Sequence, residues 1–311
     1  ALDDGPYTPR SMFRDPGYCI EYGKKVSNAL DQSGGAESFG KIDLFDAYVH
    51  SVNAVYCKIG QELGAARVLG EAKKFGLYAT PPLETPADAR SPSGLYDAGT
   101  LFDPKDADTQ VDPGRLAFGQ ERMLVTPLQM AMVAVAIANE GVIMRPHLLK
   151  EVVSPSGSTI VKVKPQPYLQ ATSPETASAI KDMMVAVVQA GTGTRAQIPG
   201  VTVAGKTGTA ETGINHVYDA WFIFFAPAEN PTIAGAVVVE SQLNGFGGSV
   251  SAPIAKAIMQ AILSTDPERG TDVAFLGILA AVLVGGGIVV RSGEHTPELQ
   301  SLAYLVCRLL L

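Results

Sequence analysis

Three β-rich runs, VTVAGKTGTA, DAWFIFFAPA and TIAGAVVVES, follow one another with short connections, and they constrain the fold more than any other feature. Consecutive strands joined by a few residues can pair antiparallel, whereas a parallel pair needs a crossover of about a dozen residues or more. The last two runs are joined by PAENP, whose Pro and Asn favour a turn. Around these strands lie helical patterns. Thr126-Pro127 followed by LQMAMVAVAIANEG reads as an N-cap, a first-turn proline, an apolar helix and a stop at Gly141. That helix is apolar nearly all round, so it is expected at the centre of the fold. Ser173-Pro174 opens a second helix that ends at Gly191, and APIAKAIMQAIL forms a third. Residues 44–49 and 54–75 are helix-like with a break at HSVN, and HLLKEVVSPSGSTIVKVK reads as two short strands around a turn. The result is an α+β architecture, an antiparallel sheet covered by helices.

With 311 residues there is room for one large domain or two modest ones, and 46% hydrophobic with 18% charged residues is an ordinary globular composition. A net charge of −7 with no Lys/Arg stripe argues against nucleic-acid binding. Cys19 and Cys57 can pair, but an odd cysteine count says little. Four scattered histidines are poor material for a zinc site or a Ser-His-Asp triad.

The stretch GVTVAGKTGTAE satisfies the P-loop pattern and also contains Lys-Thr-Gly-Thr. A P-loop needs a glycine-rich turn that runs into a helix at the phosphates. Here Val-Thr-Val-Ala prefers a strand, and no apolar helix follows Thr207. The alternative places Lys206, Thr207, Gly208 and Thr209 on a strand bordering a cleft, with Ser51 and Asn53 projecting into it from the helix break. The bland alternatives are a solvated strand-end lysine for Lys206 and a helix cap for Asn53. For Trp221 and Phe222 to Phe225 the reading is sheet core, and for Gly191-Thr192-Gly193 a turn.

Ser51-Val52-Asn53 and Lys206-Thr207-Gly208 in this order, with FGQERMLVTPLQMA, VVQAGTGTRA and YDAWFIFFAPAENP, resemble the transpeptidase domain of class B, high-molecular-weight penicillin-binding proteins, actinobacterial members in particular. The resemblance covers residues 1–265. It implies a penicillin-binding/β-lactamase-like serine transferase fold with an additional helical lobe. It implies a D,D-transpeptidase that cross-links peptidoglycan stem peptides through a serine acyl-enzyme and is inhibited by β-lactams, with no cofactor and no metal. Ser51, Asn53 and Lys206 become the catalytic set, with Lys206 the electrostatic partner of the Ser51 hydroxyl. Thr207, Gly208 and Thr209 become the substrate-binding set, and the Thr209 N–H an oxyanion donor. Implied partners are a membrane anchor and divisome or elongasome proteins, and the implied location is the extracytoplasmic face of the bacterial membrane. The alternatives are a penicillin-binding sensor or scaffold without turnover, and a β-lactamase.

The family's nucleophile sits in a Ser-x-x-Lys motif well before Ser-x-Asn. The matches here are Ser38 to Lys41, beside two glycines, and Ser178 to Lys181, which falls after Ser51. Neither has the expected place, so the expectation is that the nucleophile lies upstream of residue 1. Glu240 to Asn244 mimics a deacylating motif but in the wrong order. Residues 266–311 read as a tail. Val273 to Val290 is 18 uncharged residues, the minimum for a membrane span, with a buried or disordered tail as the alternative. Arg291 to Ser301 resembles a peptide encoded by a sequencing adapter, so 291–311 is expected to be adapter-derived.

Overall fold

The structure, a computed structural model, describes residues 1–3, 5–29 and 35–264, together with the backbone of 277–283 and 309–310. The N-terminal part is a small mixed lobe. Strand β1 (Met12–Asp15) precedes the hairpin β2 (Tyr18–Glu21) and β3 (Lys24–Ser27) and pairs antiparallel with β4 (Gly40–Asp43). Helices α1 (Leu44–Val49), α2 (Asn53–Leu63) and α3 (Ala65–Lys74) follow. The helical stretch expected to run unbroken to Phe75 is divided at Gly64, whose φ of 79° is a backbone conformation that glycine adopts without strain. Ile42, Leu44, Ala47, Val52, Val55 and Ile59 form the core under these helices. A Cys19–Cys57 disulfide ties β2 to α2.

A second group of short elements comprises β5 (Gly94–Asp97), β6 (Thr100–Leu101), α4 (Ala107–Gln110), α5 (Pro113–Ala117) and β7 (Met123–Leu124). Helix α6 (Pro127–Ala138) starts where Thr126 accepts a hydrogen bond from the Gln129 N–H, and it is buried as its composition requires. Strands β8 (Val142–Met144), β9 (Glu151–Val153), β10 (Thr159–Lys162) and β11 (Pro167–Gln170) form two hairpin-like pairs, β8 with β11 and β9 with β10. Helix α7 (Pro174–Ala190) is capped by Ser173 in the same way as α6.

The three β-rich runs become β12 (Ala204–Glu211), β13 (Val217–Ala226) and β14 (Ile233–Leu243), paired antiparallel in sequence order with β12 at the sheet edge. Ala204, Phe225, Ala234 and Ala236 face α6 and α7 on one side. Phe222, Phe224, Val237 and Val239 face α8 (Ser251–Ser264) on the other. A sheet covered on both sides has no polar face, which is why residues 222 and 224–226 and all of 233–239 are buried. This is the expected α+β fold: an antiparallel sheet flanked by helices, with an extra helical lobe.

One pairing departs from the antiparallel expectation. The backbone of β15 (Gly277–Leu283) runs parallel to β14, and β16 (Leu309–Leu310) pairs with β15. The physical reason lies in β14: a strand buried along Ile233–Val239 cannot leave its outer N–H and C=O groups unpaired. Residues 277–283, part of the stretch weighed as a membrane span, are described as strand. The rest of the 273–290 stretch, and the 291–311 segment apart from β16, lie outside the described residues. Among the described residues no helix is long and apolar enough to cross a membrane.

Candidate active site

Ser51 sits at the junction of α1 and α2 in a conformation usually reserved for glycine. Its φ is +57°. The Ser51 N–H donates to the Tyr48 carbonyl at 3.2 Å and the Val52 N–H to the Ala47 carbonyl at 2.9 Å. That pair of bonds is the Schellman ending, in which the residue after the C-cap is left-handed. A serine there costs about 1 kcal/mol relative to a relaxed backbone. Asn53 opens α2, but it is not its cap. The Asn53 Nδ2 donates to the Ser27 carbonyl of β3 at 3.1 Å, leaving Oδ1 as an acceptor. The Ala54 N–H is instead satisfied from outside the helix, by Asn28 Oδ1 at 2.9 Å. Asn28 is itself buried and held by both oxygens of Asp15. Asn28 was not expected at the site, because a lone Asn in a polar stretch carries no periodic signal.

Across the gap, Lys206 on β12 brings its Nζ 2.8 Å from Ser51 Oγ and 3.1 Å from the Thr207 carbonyl. The ammonium also lies 5.6 Å from the centre of the Tyr48 ring. Lys206 is mostly buried, not a solvated strand-end residue, and desolvation lowers its pKa from 10.5 to about 8. The strand continues through Gly208 and Thr209 with a helix nowhere in sight, which removes the P-loop reading.

Alternation splits β12 as its period requires. Lys206 pairs with Ile223 and Gly208 with Trp221, while Thr207 pairs with Phe222. Thr207 Oγ1 lies 2.6 Å from Thr192 Oγ1, so the turn after α7 delivers a second hydroxyl to the strand. Thr209 Oγ1 accepts from the Gly247 N–H at 3.3 Å. A Cβ on Gly247 would stand 2.2 Å from the Trp221 carbonyl oxygen and 2.4 Å from that of Gly208, so only glycine fits where this loop crosses the strands. A Cβ on Gly208 would come within 3.1 Å of the Trp221 Cβ. Phe222, Phe224 and Phe225 are core as expected. Trp221 is only partly buried and stands beside Gly208, which corrects its assignment to the core. Thr192, read as part of a turn, belongs to the hydroxyl group around Thr207.

The two Ser-x-x-Lys matches are not part of this constellation. Ser38 is exposed and its Oγ donates to the Asp15 carbonyl, while Lys41 lies on β4 and not one helical turn away. Ser178 is exposed on α7. Among the described residues, one cluster has metal-ligand side chains, Cys19, Glu21 and Cys57, and its sulfurs are bonded to each other.

A family model described as the penicillin binding protein transpeptidase domain matches residues 1–260. The peptidoglycan D,D-transpeptidase PbpA of Mycolicibacterium smegmatis is 36% identical over 248 residues, covering 75% of this chain and 48% of that protein. Stage V sporulation protein D of Bacillus subtilis is 30% identical, over 84% of this chain and 39% of its own. The chain thus spans about half the length, or less, of these curated relatives. Among solved structures, penicillin-binding protein A from M. tuberculosis, as a ceftriaxone acyl-enzyme complex, superposes with a TM-score of 0.70 at 30% identity, covering 83% of this chain and 57% of that one.

Proposed function

This chain belongs to the penicillin-binding protein transpeptidase family, and from that premise we propose that it carries most of a D,D-transpeptidase domain of peptidoglycan cross-linking. The observation that carries the reading is the Lys206–Ser51 hydrogen bond, which joins two groups 155 residues apart on facing elements. In the proposed reaction a serine oxygen attacks the penultimate carbonyl of a stem peptide ending in D-Ala-D-Ala. The C–N bond breaks, D-Ala leaves with a proton, and an acyl-enzyme remains. An amine of a neighbouring stem then takes the acyl group and frees the serine. A lysine brought to about 8 can hold the substrate's terminal carboxylate as ammonium and still exchange a proton through Ser51 Oγ with the departing amine. Thr207 and Thr209, with Thr192 beside them, suit a carboxylate; the Thr209 N–H suits a developing oxyanion. Asn53, with its NH₂ engaged by Ser27, offers Oδ1 to a substrate amide N–H.

Ser51 is the serine hydrogen-bonded to Lys206, and we place the attacking serine on a part of the protein outside residues 1–311. The same reading places the domain on the extracytoplasmic face of a bacterial membrane, with stem peptides and β-lactams as ligands and a membrane anchor and division or elongation proteins as partners. Fluorescent penicillin, with mass-spectrometric mapping of the acylated residue in the full-length protein, tests it. The expected result is one acyl-serine outside 1–311, slow deacylation, and no labelling of residues 1–311 alone. An adduct on Ser38, Ser51 or Ser178 would refute the assignment. Fast drug hydrolysis would make the protein a β-lactamase, and acylation without cross-linking of stem peptides would make it a sensor.

A further inference from the structure

Away from the cleft, a cavity of about 360 Å³ opens where the segment after β8, the end of β10 and the loop before β5 meet. It is lined by Glu84, Arg145, His147, Lys162, Lys164 and Gln166. None of these residues lies on α1, α2 or β12. The walls are tied together by backbone bonds. The Arg145 N–H donates to the Gln166 carbonyl at 2.7 Å, and the Val163 N–H to the Lys150 carbonyl at 2.9 Å. Glu84 Oε2 accepts from the Leu148 N–H at 2.7 Å, so the cavity's carboxylate is already engaged with the backbone.

What remains is an unbalanced set of donors. Arg145, Lys162 and Lys164 bring three positive charges against one carboxylate, and no ion pair among the described residues engages them. His147 is 7% exposed. Its Nδ1 lies 2.9 Å from the Leu149 carbonyl, which can only accept, so Nδ1 carries a proton. Its Nε2 is buried with no hydrogen-bond partner. Buried polar atoms are nearly always partnered, so an orphan beside three free cations calls for a ligand. A phosphate group with a hydroxyl answers both conditions: its oxyanion oxygens accept from the cations, and its O–H donates to the lone pair of Nε2. The volume falls within the roughly 300–1,000 Å³ of small-molecule sites and exceeds the needs of a lone ion.

We propose that this cavity binds a phosphate group carried on a larger molecule, held by Arg145, Lys162, Lys164 and His147. The site is independent of the acyl-transfer cleft, so its failure would leave the proposed reaction untouched. Isothermal titration of the full chain with pyrophosphate at low salt should show one saturable site. In the Lys162→Ala/Lys164→Ala variant the affinity should fall about ten-fold or more, the scale for losing a hydrogen bond to a charged group. Both lysines are exposed, so the thermal midpoint of this variant should not move. The control is Lys24→Ala/Lys25→Ala, which removes two equally exposed charges from β3. His147→Gln should weaken binding as well. Cosedimentation with phosphatidylglycerol vesicles, reversed by pyrophosphate, would identify a lipid headgroup as the source. Pyrophosphate binding without vesicle binding would identify a soluble phosphate ester. No saturable binding, or an equal loss in the control variant, overturns the proposal.

Discussion

Replacing Lys206 by methionine separates what the lysine does for chemistry from what it costs the fold. Burial lowers its pKa from 10.5 to about 8. A folded pKa below the unfolded one means that the native state holds its proton less tightly. Below pH 8 both states are protonated and the native state bears the full desolvation cost. Between pH 8 and 10.5 the unfolded chain holds more protons, so stability rises with pH. Above 10.5 the cost is gone. The gap of 10.5 − 8 = 2.5 pH units, at about 1.36 kcal/mol each, gives about 3 kcal/mol. That value is an upper limit, because part of the side chain still meets solvent. The assay is urea unfolding of wild type and Lys206→Met at pH 7, 8.5 and 10. The wild type should gain on the variant across this range by up to about 3 kcal/mol, a comparison that cancels the lost hydrogen bonds to Ser51 and Thr207. Parallel profiles, or a wild type that loses ground as pH rises, would refute a desolvated Lys206. Penicillin labelling of the full-length protein should meanwhile fall by about ten- to ten-thousand-fold.

Ser51→Gly removes the hydroxyl but suits the left-handed backbone, so labelling should collapse while unfolding free energy stays within about 0.5 kcal/mol of wild type. Ser51→Val should lose about 2 kcal/mol in the same assay, and equal stabilities for the two would show the turn to be unstrained. The Cys19–Cys57 bridge closes a 38-residue separation, which on chain-entropy grounds contributes about 4 kcal/mol. The double alanine variant should show that loss on denaturation, and a drop under about 1 kcal/mol would mean the bridge constrains little. Gly247→Ala should destabilise by about 1–3 kcal/mol, because its Cβ would meet two carbonyl oxygens; an unchanged thermal midpoint would show that the loop is free to move.

The strands β12 to β14 and the helices α6, α7 and α8 were legible because each carries its own local signal: a β-branched or aromatic run for the strands, a capping residue with proline at the first turn for α6 and α7, and the apolar helical run APIAKAIMQAIL for α8. The four-residue strands of the N-terminal lobe carry none and escaped notice. Ser51 and Lys206 were legible as a pair through family resemblance, since nothing in 155 residues of separation says that they touch. Asn28 and Thr192 were missed because their importance is a matter of who stands opposite. Trp221 was assigned to the core by residue type, although its register against Gly208 puts it at the site. The cationic cavity was invisible for the same reason: Arg145, Lys162 and Lys164 are spaced too widely to read as a basic run, and only the hairpin brings them to one wall.

The 2.8 Å contact between Lys206 and Ser51 also has a bearing on how the molecule assembles. Closing a loop of that length is entropically expensive and is repaid only when both ends have somewhere rigid to rest. Ser51 needs α1 and α2 packed against β3, and Lys206 needs β12 laid along β13. Each half holds only part of the proposed site, so a full-length protein arrested with one lobe folded should be inert toward a β-lactam and not merely slow. Acylation kinetics of the full-length protein after dilution from denaturant should therefore track the last event of folding, and a fluorescent penicillin would serve as a clock for the docking of lobe on sheet.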